Sequence, residues 1–154
     1  MKKWRVQLLA TSTVLLLSAA SAAENPCYKA YWNGKDAENF TKCEAMATKG
    51  EANDEFDYGL ILWSGHDREP NRGKAFEWFK KSACQGYLMA QIALGSFMSH
   101  EESDPAFQNL PEAYAWFRTA EALEAANRVL SRLNGDEIQK AKKLAGEYEA
   151  KYKK

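Results

Sequence analysis

The chain has 154 residues, with 21 basic and 21 acidic side chains, and 45% of it is hydrophobic. Nine glycines and four prolines are too few for a collagen-like or disordered chain, and the length suits one domain. Balanced charge argues against a nucleic-acid binder, which needs a basic excess to neutralise phosphates.

In chain order, the first element is an address. Lys2, Lys3 and Arg5 precede an apolar run from about Val6 to Leu17, and small residues follow in SAASAA before Glu24. A basic start, a short apolar centre and an A-x-A-like end make a secretory signal peptide. Residues 1–23 are therefore expected to be removed, with cleavage after Ala22 or Ala23. The apolar centre is short of the ~20 residues of a membrane span, and ENPC before Cys27 lacks the Leu-small-small-Cys pattern of a bacterial lipoprotein. The expected product is a periplasmic or secreted protein without a membrane anchor.

Residues 24–35 form a half-repeat. CYKAYWNG, from Cys27, is similar to YGLILWSG, from Tyr58, with its Trp and Gly aligned, and it reads as a single helix docked on the first full hairpin. Cys27 and Cys43 lie eight residues to either side of Lys35, the centre of an expected helix–turn–helix. Antiparallel helices place such equidistant positions opposite each other, so an exported chain can bridge them; three unpaired thiols are the alternative. Cys84 is left as a half-buried thiol.

From residue 36 the sequence repeats. Phe40 and Phe76, Ala47 and Ala83, Gly50 and Gly86, Gly59 and Gly95 all share one offset of 36 residues. A third copy opens at PEAYAWFRTA, where Ala113, Trp116 and Phe117 follow Ala75, Trp78 and Phe79 at an offset of 38. A period of this length is that of a helical hairpin stacked into a solenoid. Ala75, Trp78, Phe79, Ser82 and Ala83 recur at three- and four-residue steps and give one helix its inward stripe. Gly86 comes where that helix must reverse, and glycine takes the left-handed conformation that closes a helix end. The second helix points Leu88, Ile92, Gly95 and Phe97 or Met98 inward. Gly95 costs ~1 kcal/mol there relative to alanine, which fits an approach too close for a β-carbon. Gly50 and Gly59 take the same two roles one repeat earlier. In the third copy Glu124 stands where the turn glycine is expected, so one long or kinked helix is an alternative to a hairpin.

The last element starts at Asn134, where Asn134 and Glu137 form a capping-box pattern. Ile138, Ala141, Leu144, Ala145 and Tyr148 make its inward stripe, and its lysines keep the outside wet.

AFEWFKKSACQGYLMAQIALG, AYAWFRTA and the tail RLNGDEIQKAKKLAGEYEAKY together resemble the Sel-one-like repeat (SLR) family, related to tetratricopeptide repeats. The resemblance implies an all-α, short right-handed α-solenoid of antiparallel hairpins. Its units fall at 36–71, 72–109 and a degenerate 110–133, with a capping helix over 134–154. It also implies a protein–protein interaction module without catalysis or cofactor. Bacterial members act as adaptors or regulators in the envelope.

The candidate chemistry agrees. There is no HExxH, G-x-S-x-G, C-x-x-C or phosphate-cradling glycine loop. His66 and His100 sit beside acids in polar linkers, and no metal is expected there. Asp54, Glu55 and Asp57 are read as a solvated helix face, and Trp78, Phe79, Trp116 and Phe117 as core. Trp32 and Trp63 are read as rim residues that either pack or anchor a partner. The first helices of the hairpins line one side, and their outward positions Asn39, Lys42, Glu77, Lys80, Lys81, Tyr114 and Arg118 are the candidate contacts for an acidic peptide or protein. Two other readings stand beside the adaptor. One is a binder of peptidoglycan or polysaccharide. The other is a weak β-lactam hydrolase, which only some cysteine-rich relatives suggest.

Overall fold

The computed structural model describes residues 25–32, 37–65, 69–101 and 105–153. They form α1 (Pro26–Trp32), α2 (Ala37–Ala47), α3 (Ala52–Ser64), α4 (Arg72–Cys84), α5 (Leu88–Ser99), α6 (Leu110–Thr119), α7 (Leu123–Leu130) and α8 (Gly135–Tyr152). A 3₁₀ turn at Pro105–Phe107 leads into α6. Helices α2–α3, α4–α5 and α6–α7 are three antiparallel hairpins, and α1 docks on the first. The expected signal peptide, residues 1–23, lies outside the described residues.

Local chemistry sets the helix ends. Asn71 and Asn109 accept from the backbone N–H groups of Lys74 and Glu112, capping the first helices of the second and third hairpins. Asn134 accepts from Asp136 and Glu137 while Glu137 accepts from the Asn134 N–H, the capping box read from the sequence. Gly50 and Gly86 turn the first two hairpins at φ +90° and +89°.

The third hairpin turns as well, at a different residue. Glu121 takes φ +56°, and the chain folds back into α7. Helix α6 has 10 residues against 13 in α4, so its turn comes three positions earlier than alignment on the aromatics suggests. Glu124 lies inside α7. A side chain therefore sits in a left-handed backbone at a site where the other copies carry glycine.

Neighbouring hairpins lock through glycine and phenylalanine. A β-carbon on Gly59 would stand 2.8 Å from the Phe79 ring, and one on Gly95 would stand 2.9 Å from the Phe117 ring. Each glycine thus lets the second helix of one hairpin accept an aromatic ring from the first helix of the next. Phe79 is fully buried among Phe56, Trp63 and Phe97. The polar groups between copies are satisfied too. Ser82 donates to the Ala52 carbonyl and Gln85 to the Gly50 carbonyl, tying one turn to the next. Leu88 departs from the expected pattern: at the start of α5 it is exposed, whereas Met98 is buried and Ile92 and Phe97 are partly so.

Helix α8 does not continue the alternation onto α7. Its stripe packs along α6 and its end touches α4. There Gln91 donates to the Tyr152 carbonyl, Tyr148 donates to Glu112 at 3.0 Å, and Trp116 meets the rings of Tyr148 and Tyr152. Burial, with the Glu112 carboxylate beside it, holds the Tyr148 hydroxyl well above its ordinary pKa.

Candidate functional site

The placement of α8 decides which of the expected contact residues remain on the surface. Tyr114 is only 5% exposed, and it lines a crevice with Ala145 and Gly146 of α8. Arg118 is paired with Glu149 of α8 at 3.1 Å. Tyr114 is therefore corrected, since it is buried against the last helix, while Arg118 is tied to that helix with its side chain still 40% exposed. The cause is the position of α8, which covers α6.

The other candidates lie on α2 and α4, joined by a Lys74–Glu44 ion pair at 3.2 Å. Tyr58 donates to the same carboxylate, and this bond, with the Lys74 charge, holds the Glu44 carboxyl below its ordinary range. Glu77, Lys80 and Lys81 are exposed along α4, with Lys42 exposed and Asn39 half-buried on α2. Lys42 is engaged by Glu38 at 2.6 Å. The Lys81 ammonium lies 3.8 Å from the Trp78 ring, which fixes a positive charge at one place on the surface. Lys80, one position before it, makes no ion pair among the described residues.

Cys27 and Cys43 form a disulfide, with Cα atoms 4.7 Å apart, while Cys84 is free and half-buried. The bridge fastens α1 to α2, and α1 also rests on α3. Tyr28, Tyr31 and Trp32 of α1 line a cleft with Cys27 and with Asp57 and Leu60 of α3.

The acidic residues at the start of α3 are not a solvated face. Asp54 and Glu55 are buried, and Asp57 is half-buried. Glu55 accepts from Gln85 of the next hairpin at 2.8 Å, and Asp54 from Asn53. Burial raises the carboxyls of all three. Asp57 is pushed up to about 6, with the like charge of Asp54 adding to the rise. Asp54 and Glu55 gain some compensation from the positive end of α3, whose first turn they occupy. No sequence signal distinguished Glu55 from an exposed acid, because its partner Gln85 belongs to the turn of the next hairpin. The rim pair also divides. Trp63 stacks on Phe97 at 3.9 Å, whereas Trp32 is 65% exposed. His66 and its neighbour Asp67 lie outside the described residues, as do Glu102 and Asp104. Among the described residues, no three His, Cys, Asp or Glu side chains converge on a metal position.

Residues 53–87 and 88–123 each match the Sel1 repeat. The chain carries two Sel1 repeats. Each matched Sel1 repeat pairs a second helix with the next first helix, α3 with α4 and α5 with α6. That phase encloses the tightest contact, Phe79 on Gly59 and Phe117 on Gly95, whereas division at the linkers between hairpins, before α4 and before α6, splits it. The Sel1 stack is similar to a crystal structure of a protective antigen present in uropathogenic Escherichia coli strains, which displays an SLR fold. Identity is 26% and the TM-score 0.71, over 86% of this chain and 30% of the antigen. The chain therefore spans less than a third of that protein's length. No curated protein matches it.

Proposed function

We propose that this Sel1-repeat protein is a non-catalytic protein–protein interaction module that acts outside the cytoplasm, as an adaptor or regulator in a bacterial envelope. Support for the interaction role comes from the repeat family, whose members are typically scaffolds for protein contacts. Support for export comes from the basic, apolar and small-residue pattern of residues 1–23, and from a disulfide, which persists in oxidising compartments.

One observation carries the choice of surface. The first helices of two hairpins stay open while the third is covered by α8. What remains is a strip over α2 and α4 with Asn39, Lys42, Glu77, Lys80 and Lys81. Lys81 is held on Trp78, so less side-chain freedom is lost when it pairs with a partner carboxylate. The strip suits an acidic segment, and its limited area suits modest affinity or engagement by more than one copy.

A photo-crosslinking residue at position 80, compared with one at Lys140 on α8, tests this in the native envelope. Position 80 should give a discrete adduct that Lys140 does not, and Lys81→Glu should abolish it. Equal adducts at both positions, or indifference to Lys81→Glu, would place the interaction elsewhere.

A further inference from the structure

The end of the stack remote from α8 carries a second surface of different chemistry. Tyr28, Tyr31 and Trp32 fall at i, i+3 and i+4 of α1 and share one side of that helix. With Cys27, Asp57 and Leu60 they enclose an open cleft of about 280 Å³. Trp32 and Tyr28 are 65% and 46% exposed, on a helix anchored by a disulfide. Among the described residues, the Trp32 ring meets only the neighbouring tyrosines of its own helix, at 5.2 and 6.0 Å.

The matching residue one unit later shows what such a ring does when the chain itself supplies its neighbours. Trp63 is stacked on Phe97 and has the Arg72 guanidinium 5.5 Å from its ring centre. Trp32 has neither.

Asp57 supplies the second, independent observation. Its carboxylate is half-buried in the cleft, yet among the described residues it has no hydrogen-bond donor or cation as partner. The neighbouring charge that acts on it, Asp54, has the same sign. A desolvated carboxylate without a partner is costly, and a cation relieves that cost where an apolar or neutral ligand leaves it. The faces of Trp and Tyr rings attract the same cations.

We infer that the α1–α3 cleft receives a cationic side chain, lysine or arginine, of a partner protein, with Trp32 and Tyr28 along its stem and Asp57 facing its charge. An open cleft of this volume fits the end of one side chain better than a free small molecule, most of whose surface a ligand pocket covers. This surface is separate from the α2–α4 strip, and Lys81→Glu leaves it intact.

The test is an NMR titration of the indole N–H resonances of the uniformly ¹⁵N-labelled exported chain. The probes are acetyl-Gly-Lys-Gly-amide, acetyl-Gly-Arg-Gly-amide, the lysine peptide acetylated at Nζ, and the N-acetylglucosamine trimer. The Trp32 resonance, assigned from Trp32→Phe, should move with a cationic peptide at about millimolar concentration, and Asp57→Asn should weaken that binding about five-fold or more. Asp57→Asn removes a buried charge and Trp32 is exposed, so neither change threatens the fold. Three outcomes overturn the inference. They are an equal response to the acetylated peptide, a response to the sugar alone, and no response to either cationic peptide at about 20 mM.

Discussion

Gly59 is the position where the stacking of hairpins can be tested by one β-carbon. In Gly59→Ala the new atom would lie 2.8 and 2.9 Å from two atoms of the Phe79 ring and 3.4 Å from the Ala75 carbonyl oxygen. Carbon atoms rest at about 3.5–4.0 Å, so the ring must retreat by several tenths of an ångström. Phe56, Trp63 and Phe97 stand around that ring, which is fully buried and has little room to move. Overpacking of this kind costs ~1–3 kcal/mol, while alanine's helix preference returns ~1 kcal/mol. The net expectation is a loss of about 1 kcal/mol, or about 3–4 °C in melting temperature for a domain of this size. Gly146 provides the opposite case. It lies within α8, and a methyl group added there would have nothing within 4 Å, so Gly146→Ala should gain up to about 1 kcal/mol. The assay is urea and thermal unfolding followed by circular dichroism. Trimming the ring in Gly59→Ala/Phe79→Leu should give a non-additive result that recovers part of the loss. If Gly59→Ala stabilises as much as Gly146→Ala, Phe79 does not pack on Gly59 and the hairpins do not stack in this way.

Other outcomes follow from single features. Replacing Cys27 and Cys43 together by serine opens a loop of 16 residues and should cost ~3 kcal/mol, with loss of amide-exchange protection in α1 before the rest; unchanged protection there would show that α1 docks without the bridge. Glu121→Gly should raise the melting temperature by a few degrees, because glycine tolerates φ +56° and the exposed Glu121–Lys153 pair adds little; a fall would mean the left-handed turn is not strained. Asp57→Asn should stabilise the protein at neutral pH. A folded-state pKa raised from 3.8 to about 6 means that the native state binds the proton more tightly than the unfolded chain does, so wild-type stability declines as pH rises through that window. The gain from the substitution, discounted for partial exposure to about 1 kcal/mol, should therefore be full above pH 6 and vanish near pH 4, as read from urea midpoints; a gain independent of pH would contradict the assignment to Asp57.

Much of this fold is legible from periodicity alone. The turn glycines 50 and 86, the close-contact glycines 59 and 95, the inward stripe of α4 and the capping box at Asn134 are local features, and each is written in residues a few positions apart. The Cys27–Cys43 bridge was readable for the same reason, since it needs only one turn to be placed. What the sequence hid are consequences of contacts between distant segments. Alignment of the third copy on its aromatics put the turn at residue 124. The shorter α6 brings it to Glu121, which no glycine marks. Tyr114 and Arg118 sit at positions that are outward in a simple array, and the return of α8 across α6 buries Tyr114 and pairs Arg118 with Glu149. Asp54 and Glu55 have the composition of a wet helix start, yet both are buried, and Glu55 is bonded to Gln85 in the turn of the next hairpin. Of the candidate contacts, Lys42, Glu77, Lys80 and Lys81 stand exposed and Asn39 is half-buried, whereas Tyr114 is buried under α8.

The central claim is that α8 closes the third first helix, leaving the α2–α4 strip and the α1 end open. Hydroxyl-radical footprinting of the exported chain, read residue by residue by mass spectrometry, tests it most directly. The account predicts rapid oxidation of Trp32 and Tyr28, with Tyr114 and Trp116 protected as strongly as Phe79. Oxidation of Tyr114 at the rate of Tyr28 would contradict it.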